Sequence, residues 1–351
     1  MATRDIVVIG ASAGGVEAVS RIVSKLPAEL AASVFVTIHF PPQGISVLPR
    51  ILERAGVLPV VHAADGDEIR RGRIYIAPPD RHLLLYPGRI RLIRGPTENG
   101  NRPAIDPMFR SAAVAYGARV IGVVLTGNLD DGTAGLLAIK RRDGAALVQN
   151  PMDAMFPSMP ASAVHNVSPD EILKLDEIAA AIVRYTAQEV PEGGEAEPTA
   201  SDVRETGYSA FEMAMIENPD EHPGHPSGFG CPDCGGALWQ IHDGGLVRFR
   251  CRVGHAWTSD GLIDRQDAAL EAALWSALRA LEESVALSDQ MSQRFEKRGQ
   301  PSLASRYRDA AVLGSQRAEV IREVLMRPRV RPTDEPAPVA DTTTRAVSHK
   351  H

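Results

Sequence analysis

The stretch Asp5-Ile-Val-Val-Ile-Gly-Ala-Ser-Ala-Gly-Gly15 runs directly into Val16-Glu-Ala-Val-Ser-Arg-Ile-Val-Ser-Lys-Leu26. Its opening apolar run has no polar alternation, which predicts a strand buried on both faces, and the small residues after it allow a sharp turn into a helix. Ser12 is therefore expected at the tip of a strand-to-helix turn, beyond the sheet edge and close to helical N–H groups. Two chemistries fit that position. Gly10, Ser12 and Gly14 match G-x-S-x-G, a nucleophile elbow with backbone donors beside the serine. Gly10 and Gly15 also form a degraded G-x-G-x-x-G, which would cradle a pyrophosphate. A plain small-residue turn is the third reading. The next strand separates them, because a dinucleotide site needs an acidic residue about twenty positions after the glycines. Ser33-Val-Phe-Val-Thr-Ile-His39 ends instead in histidine, followed by Phe40-Pro41-Pro42.

A chain of 351 residues has room for about two domains and a substantial core. Its net charge of −6 and lack of a long basic run count against nucleic acid as a partner. No apolar segment approaches the roughly twenty residues of a bilayer span, and Met1-Ala-Thr-Arg-Asp5 carries no signal-peptide pattern. A cytoplasmic protein without membrane insertion is expected. All three cysteines fall between Cys231 and Cys251, a crowding that suggests metal ligation rather than a disulfide framework.

Strand and helix signals alternate to about Glu189. After the strand ending at His39 the pattern predicts a helix over 47–55 and a strand over 59–62. A hairpin of Arg73–Ala77 and His82–Tyr86 follows, turning at Pro87-Gly88 into Arg89–Ile93. Next come a helix over 107–116, the strand Arg119–Leu125 and the polar turn Thr126-Gly-Asn-Leu-Asp-Asp-Gly132. A helix to about Arg142, a strand over 145–149, and helices near Ala161 and over 169–189 complete the pattern. The fold class expected is α/β, a doubly wound, mostly parallel sheet with an antiparallel hairpin insertion. Chemistry in such sheets collects beyond the carboxyl ends of the strands. Ser12, His39 and the Asp130-Asp131 pair all stand at such ends, and serine, histidine and aspartate are the set that nucleophilic acyl transfer requires. Each also has a plainer use: Ser12 as a helix cap, His39 as a loop residue, Asp131 as a turn former before Gly132. Asp130 competes with Asp131 for the role of orienting acid.

Five segments together resemble the catalytic domain of the CheB family, the bacterial chemotaxis protein-glutamate methylesterases. They are Ile9-Gly-Ala-Ser-Ala-Gly-Gly15, the strand into His39-Phe-Pro-Pro42, Tyr75-Ile-Ala-Pro-Pro-Asp-Arg-His82, Arg102-Pro-Ala-Ile-Asp106 and Leu125-Thr-Gly-Asn-Leu-Asp-Asp-Gly132. The likeness runs from residue 5 to about residue 185. It implies Ser12 as nucleophile, His39 as base, Asp131 as acid, main-chain oxyanion donors at Ala13 and Asn128, and no cofactor for catalysis. Arg102, Asp106, Arg110 and His82 would be structural or substrate-contacting. Ala13 stands where the family often has threonine, so a side-chain donor worth about 3 to 4 kcal/mol is missing. Asn128 and Leu129 replace the family's usual methionine and glycine. The implied activity is demethylation of receptor glutamates, with deamidation of receptor glutamines by the same triad. The implied partners are the cytoplasmic methylation helices of methyl-accepting chemotaxis receptors, with a receptor methyltransferase or a separate response regulator besides. An N-terminal receiver domain, common in the family, is expected to be absent in cis.

Beyond this catalytic domain, assigned to residues 1–189, a Pro-, Gly- and Glu-rich linker is expected over 190–227, with one short helix from Tyr208 to Ile216. Cys231-Pro-Asp-Cys-Gly-Gly236 and Cys251-Arg-Val-Gly-His255 read as a zinc-ribbon-like module over 228–258. Cys231, Cys234, Cys251 and His255 would close a tetrahedral, structural Zn²⁺ site. Leu270, Leu274, Leu278, Leu281, Val285 and Phe295, then Leu303, Tyr307, Val312, Ile321 and Leu325, predict an αα-hairpin over 259–327, broken at Arg298-Gly-Gln-Pro301. The Pro- and Thr-rich residues 328–351 predict a disordered tail. Two other functions compete with the esterase. One is a non-catalytic signalling scaffold that binds through the ribbon and hairpin; the other is a nucleotide-binding oxidoreductase.

Overall fold

The computed structural model describes residues 2–41, 46–191 and 224–327, together with 203, 206 and 207. The expected helix at 208–216 and the tail over 328–351 lie outside the described residues. The chain divides into two compact units, Met1–Asp267 and Ala268–His351.

The first unit begins with β1 (Ala2–Thr3), β2 (Ile6–Ala11), α1 (Gly15–Val23), β3 (Ser33–Ile38), α2 (Leu48–Ala55), β4 (Val60–His62) and β5 (Ile74–Ile76). It continues with β6 (His82–Tyr86), β7 (Arg89–Ile93), α3 (Ile105–Tyr116), β8 (Val120–Val124), α4 (Thr133–Arg141) and β9 (Ala145–Gln149). Then come α5 (Ser158–Val167), β10 (Glu171–Leu173), α6 (Leu175–Thr186) and β11 (Glu189–Val190). Seven strands form one sheet in the order β10-β9-β8-β2-β3-β5-β4, with every neighbouring pair parallel. β2 lies at its centre between β3 and β8, which is why its residues are buried throughout.

Alternation along β2 divides the core between two layers. Val7, Ile9 and Ala11 pack with residues of α1, α2 and α6, while Ile6 and Val8 pack with residues of α3, α4 and α5. The sheet is therefore covered on both sides, as an all-parallel sheet must be. Two expectations need correction. Ile74–Ile76 is a strand of the central sheet, paired with β3 and β4, and the hairpin β6/β7 forms a two-stranded sheet of its own. Glu171–Leu173 is an edge strand, so the last helix starts at Leu175 rather than near residue 169. Short apolar runs of this kind fit either state until their pairing partner is known.

A four-stranded antiparallel sheet completes the unit, formed by β12 (His225–Gly230), β13 (Ala237–Asp243), β14 (Leu246–Cys251) and β15 (Ala256–Thr258) in sequence order. Its small core holds Leu238, Phe249, Trp257 and Leu262. A long helix, α7 (Ser259–Lys297), starts in the first unit and ends in the second, where α8 (Pro301–Met326) follows it. In the second unit Phe295 and Tyr307 stack at 5.4 Å, and the buried seam of α8 is Ala304, Ala311 and Ala318. Leu270, Leu303 and Val312, expected on the apolar stripes, are exposed. Alanines seven residues apart allow the close helix approach that larger side chains would block.

Gly10 sets how closely α3 can approach the central strand. A Cβ there would lie 2.4 Å from Ile105 Cγ2. Only hydrogen at this position lets the first turn of α3 settle over the end of β2. Gly10→Ala should therefore destabilise the chain by about 1 to 3 kcal/mol through overpacking, read as a lower urea midpoint; an unchanged midpoint would mean that Ile105 yields freely.

Candidate active site

Each strand end contributes one residue. Ser12 directly follows β2, with its N–H donating to the carbonyl of Thr126 at 3.0 Å and its carbonyl accepting from Gly15 at 2.9 Å. Gly14, at φ 72°, rather than Ser12, occupies the N-cap of α1. The serine hydroxyl is thereby left for other work. His39 follows β3, and Asp131 lies in the turn between β8 and α4.

The three side chains meet. Ser12 Oγ lies 3.1 Å from His39 Nδ1, and His39 Nε2 lies 2.7 Å from Asp131 Oδ2. Asp131 is acceptor-only when ionised, so this contact selects the tautomer in which Nε2–H donates and Nδ1 accepts from the serine hydroxyl. Asp130, its competitor, points elsewhere and accepts from the Thr258 hydroxyl at 2.6 Å.

Asp131 is almost fully buried, and its surroundings decide its charge. The N–H groups of Ile105 and Asp106, the first two residues of α3, donate to it at 2.7 and 3.2 Å, and Asn99 Nδ2 donates at 3.3 Å. Burial pushes its pKa up, but His39 and these N–H groups more than offset that, holding it below the ordinary carboxylate value. Asp106, in the first turn of α3, behaves oppositely. Burial and the charge on Asp131 push it well above the ordinary value, even though Gly132 and Gly135 donate to its Oδ1 at 3.1 and 2.6 Å. The two shifts run in opposite directions, and the acid that faces His39 is the one favoured as the carboxylate.

Room for a substrate lies beside the histidine, in a cleft of about 350 Å³ lined by His39, Phe40, Asp80, Thr97, Asn101 and Arg102. Arg102 is fixed there by Asp80 at 2.6 Å and by the carbonyl of Gly95. Gly127 packs against the serine so closely that a Cβ would lie 2.8 Å from Ser12 Cβ. Among the described residues the main-chain N–H groups of Ala13 and Asn128 make no hydrogen bond.

The sequence model of CheB methylesterase matches residues 7–182. The chain belongs to the CheB methylesterase family. A Leptospira interrogans relative is 36% identical over 51% of this chain and 93% of its own length. A Methanosarcina acetivorans protein, named protein-glutamate methylesterase/protein-glutamine glutaminase 2, is 36% identical over 52% of this chain and 54% of its own length. A Pseudomonas aeruginosa protein of the same name is 36% identical over 54% and 55%. The chain thus spans about half the length of the last two. The crystal structure of the Thermotoga maritima CheB methylesterase catalytic domain superposes with a TM-score of 0.50 at 32% identity, covering 52% of this chain and 98% of that one.

Two departures from the CheB pattern can be located. Leu129, where the family usually has glycine, takes φ 61°, so the turn keeps a left-handed residue at a cost of roughly 1 to 2 kcal/mol. Ala13 offers only its main chain. Of the other polar residues singled out, His82 is fully buried and bridges the carbonyl of Pro96 and the N–H of Ala104, a structural tie. Arg110 pairs with Glu98 at 2.6 Å, both buried. Sequence reasoning missed Asn99 and Thr258, which bond to Asp131 and Asp130, and the buried ion pairs of Glu98 with Arg110 and Arg250. Buried arginines in otherwise apolar elements were the available hint.

The cysteine cluster forms as its spacing predicts. The donor atoms of Cys231, Cys234, Cys251 and His255 all lie within 4.8 Å of one another, and the cysteines form no disulfide. Cys234 Sγ and Cys251 Sγ are 3.7 Å apart, and Cys251 Sγ and His255 Nδ1 are 3.5 Å apart. Those edges match a tetrahedron with metal–sulfur bonds near 2.3 Å, whose sulfurs stand about 3.8 Å apart. The four residues fit a metal ion, with no position left open for a substrate.

Asp130 gives a test of the buried turn. Burial, outweighing the Thr258 hydrogen bond, pushes it up to about 7 from 3.8. The folded chain therefore keeps a proton that the unfolded chain releases, so this group's stabilisation is complete below about pH 4 and is lost as pH rises to about 7. Relative to Asp130→Asn, the wild-type chain should lose stability over that interval and no further above it. Urea midpoints of both proteins at matched pH decide this; a constant difference would show that Asp130 is ionised throughout.

Proposed function

We propose that this chain is a serine esterase that removes methyl esters from glutamate side chains of chemotaxis receptors. What carries the reading is the contact of Ser12 with His39, and of His39 with Asp131, in a chain of the CheB methylesterase family. Ser12 Oγ attacks the ester carbonyl while His39 Nδ1 takes its proton. Asp131, ionised and buried, stabilises the imidazolium and keeps the ring from flipping. The main-chain N–H groups of Ala13 and Asn128 receive the oxyanion. Collapse of the adduct breaks the bond to methoxide, which leaves as methanol with the proton from Nδ1. Water, deprotonated by the same nitrogen, then attacks the acyl-serine, and Ser12 regains its hydrogen as the glutamate carboxylate departs. A glutamine side chain can follow the same steps with ammonia as leaving group, in keeping with the glutaminase in the names of the relatives.

The same reading places the protein in the cytoplasm, acting on receptor methylation helices alongside a receptor methyltransferase or a separate response regulator. No helix among the described residues is long and apolar enough to cross a membrane. Cys231, Cys234, Cys251 and His255 hold a structural Zn²⁺ that takes no part in the chemistry, and catalysis uses no cofactor. The 228–258 module is then a zinc ribbon that folds with its metal. Protein purified without added metal should contain one zinc per chain, and Cys251→Ser should lose it; a metal-free wild-type chain with an ordered ribbon would contradict the assignment.

Ser12→Ala should leave the fold intact and lower methanol release from methylated receptors by about 10⁴-fold or more. Undiminished release would remove Ser12 from the reaction.

A further inference from the structure

The antiparallel ribbon sheet makes a polar, largely buried contact with the loop that leads to Asp131. β15 continues the loop 97–101: Asn99 N–H donates to the carbonyl of Ala256 at 2.8 Å, and Ala256 N–H donates to the carbonyl of Thr97 at 3.3 Å. Thr97 Oγ1 donates to Asp233, between the first two cysteines, at 2.6 Å. Glu98 sits between two buried arginines, Arg110 of α3 at 2.6 Å and Arg250 of β14 at 3.3 Å. Gly100 approaches the Trp257 ring closely enough that a Cβ would lie 3.6 Å from it.

Two routes lead from there to the catalytic acid. The N–H of Thr258 donates to Asn99 Oδ1 at 2.9 Å, and Asn99 Nδ2 donates in turn to Asp131 Oδ1 at 3.3 Å. The hydroxyl of Thr258 donates to Asp130 Oδ1 at 2.6 Å and holds the residue next to Asp131. Thr258 is 1% exposed, Asp130 3% and Asn99 8%, so both routes are shielded from bulk solvent. Thr258 ends β15, three residues beyond the metal-ligand candidate His255, which directly precedes that strand. Buried polar contacts of this density order their partners because leaving any one unmade is costly.

We propose that Thr258 and Asn99 are positioning residues for Asp131, and that the ribbon is thereby a built part of the esterase site rather than an appendage. The proposal rests on the esterase reading for its turnover measurement only. The chain of contacts keeps Asp131 aimed at His39 Nε2, and through it the imidazole in the tautomer that can accept the serine proton. Neither residue touches substrate. Their loss should therefore lower kcat and spare KM.

The test uses the full chain with Thr258→Val, Thr258→Ser and Asn99→Gly. Glycine suits position 99 because Asn99 already has φ 50°. One zinc per chain and an unchanged circular dichroism spectrum would verify folding, and Asn99→Gly carries the test if Thr258→Val fails to fold. For the valine and glycine variants, kcat for methanol release is expected to fall about tenfold, the cost of a modest misplacement, with KM unchanged and with Thr258→Ser restoring turnover. In the same samples ¹⁵N shifts of the His39 ring, detected through its carbon-bound protons, should move from a single Nε2–H tautomer toward a mixture. Wild-type ring shifts in both variants would overturn the proposal whatever the turnover. A wild-type chain that releases no methanol would defeat the esterase reading instead, and the ring shifts would still decide the positioning role.

Discussion

A single buried carboxylate sets the terms for this structure. Asp131 has to remain ionised among side chains that would otherwise neutralise it, and it must face one ring nitrogen. Taking a carboxylate out of water is costly unless hydrogen bonds replace the lost hydration. Here the donors come from His39, from the first turn of α3 and from Asn99. The helix N-terminus adds its own favourable field for a negative charge. Asp106 is shifted the other way, upward, by burial and by the charge on Asp131, so it competes less for that charge.

Backbone space is what allows that arrangement. Gly10 and Gly132 both lie against Ile105, and a Cβ on either would strike its side chain. Side chains at those positions would push the first turn of α3 away from Asp131. Gly127 does the same for Ser12 from the other side. The glycines of the strand-end turns thus act by giving Ile105 and Ser12 room to pack close. The parallel sheet supplies the rest, since β3, β2 and β8 are adjacent and deliver His39, Ser12 and the Asp131 turn to one rim.

Much of this was legible in the chain because it is local. Unbroken apolar runs marked the central strands, small residues marked the turns, and Ser12, His39 and Asp131 stood at three strand ends before any pairing was known. The hairpin from His82 to Ile93 was visible in its Pro87-Gly88 turn. Legibility failed where distant segments decide. Ile74–Ile76 joins the central sheet only because β3 and β4 flank it, and Glu171–Leu173 becomes a strand only by pairing with β9. The contact of Asn99 with Thr258 spans 159 residues, and no periodicity encodes it. The cysteine quartet was readable from spacing, but its place behind the acid turn was not.

Ser12 is an activated nucleophile only if His39 and Asp131 make it one. Reaction with a fluorophosphonate, with the adduct located by mass spectrometry, addresses this without any receptor. The expected result is a single adduct on Ser12 that forms rapidly in the wild-type chain and only slowly in Asp131→Ala. Labelling at another residue, or equally fast labelling of Ser12 without the carboxylate, would contradict it.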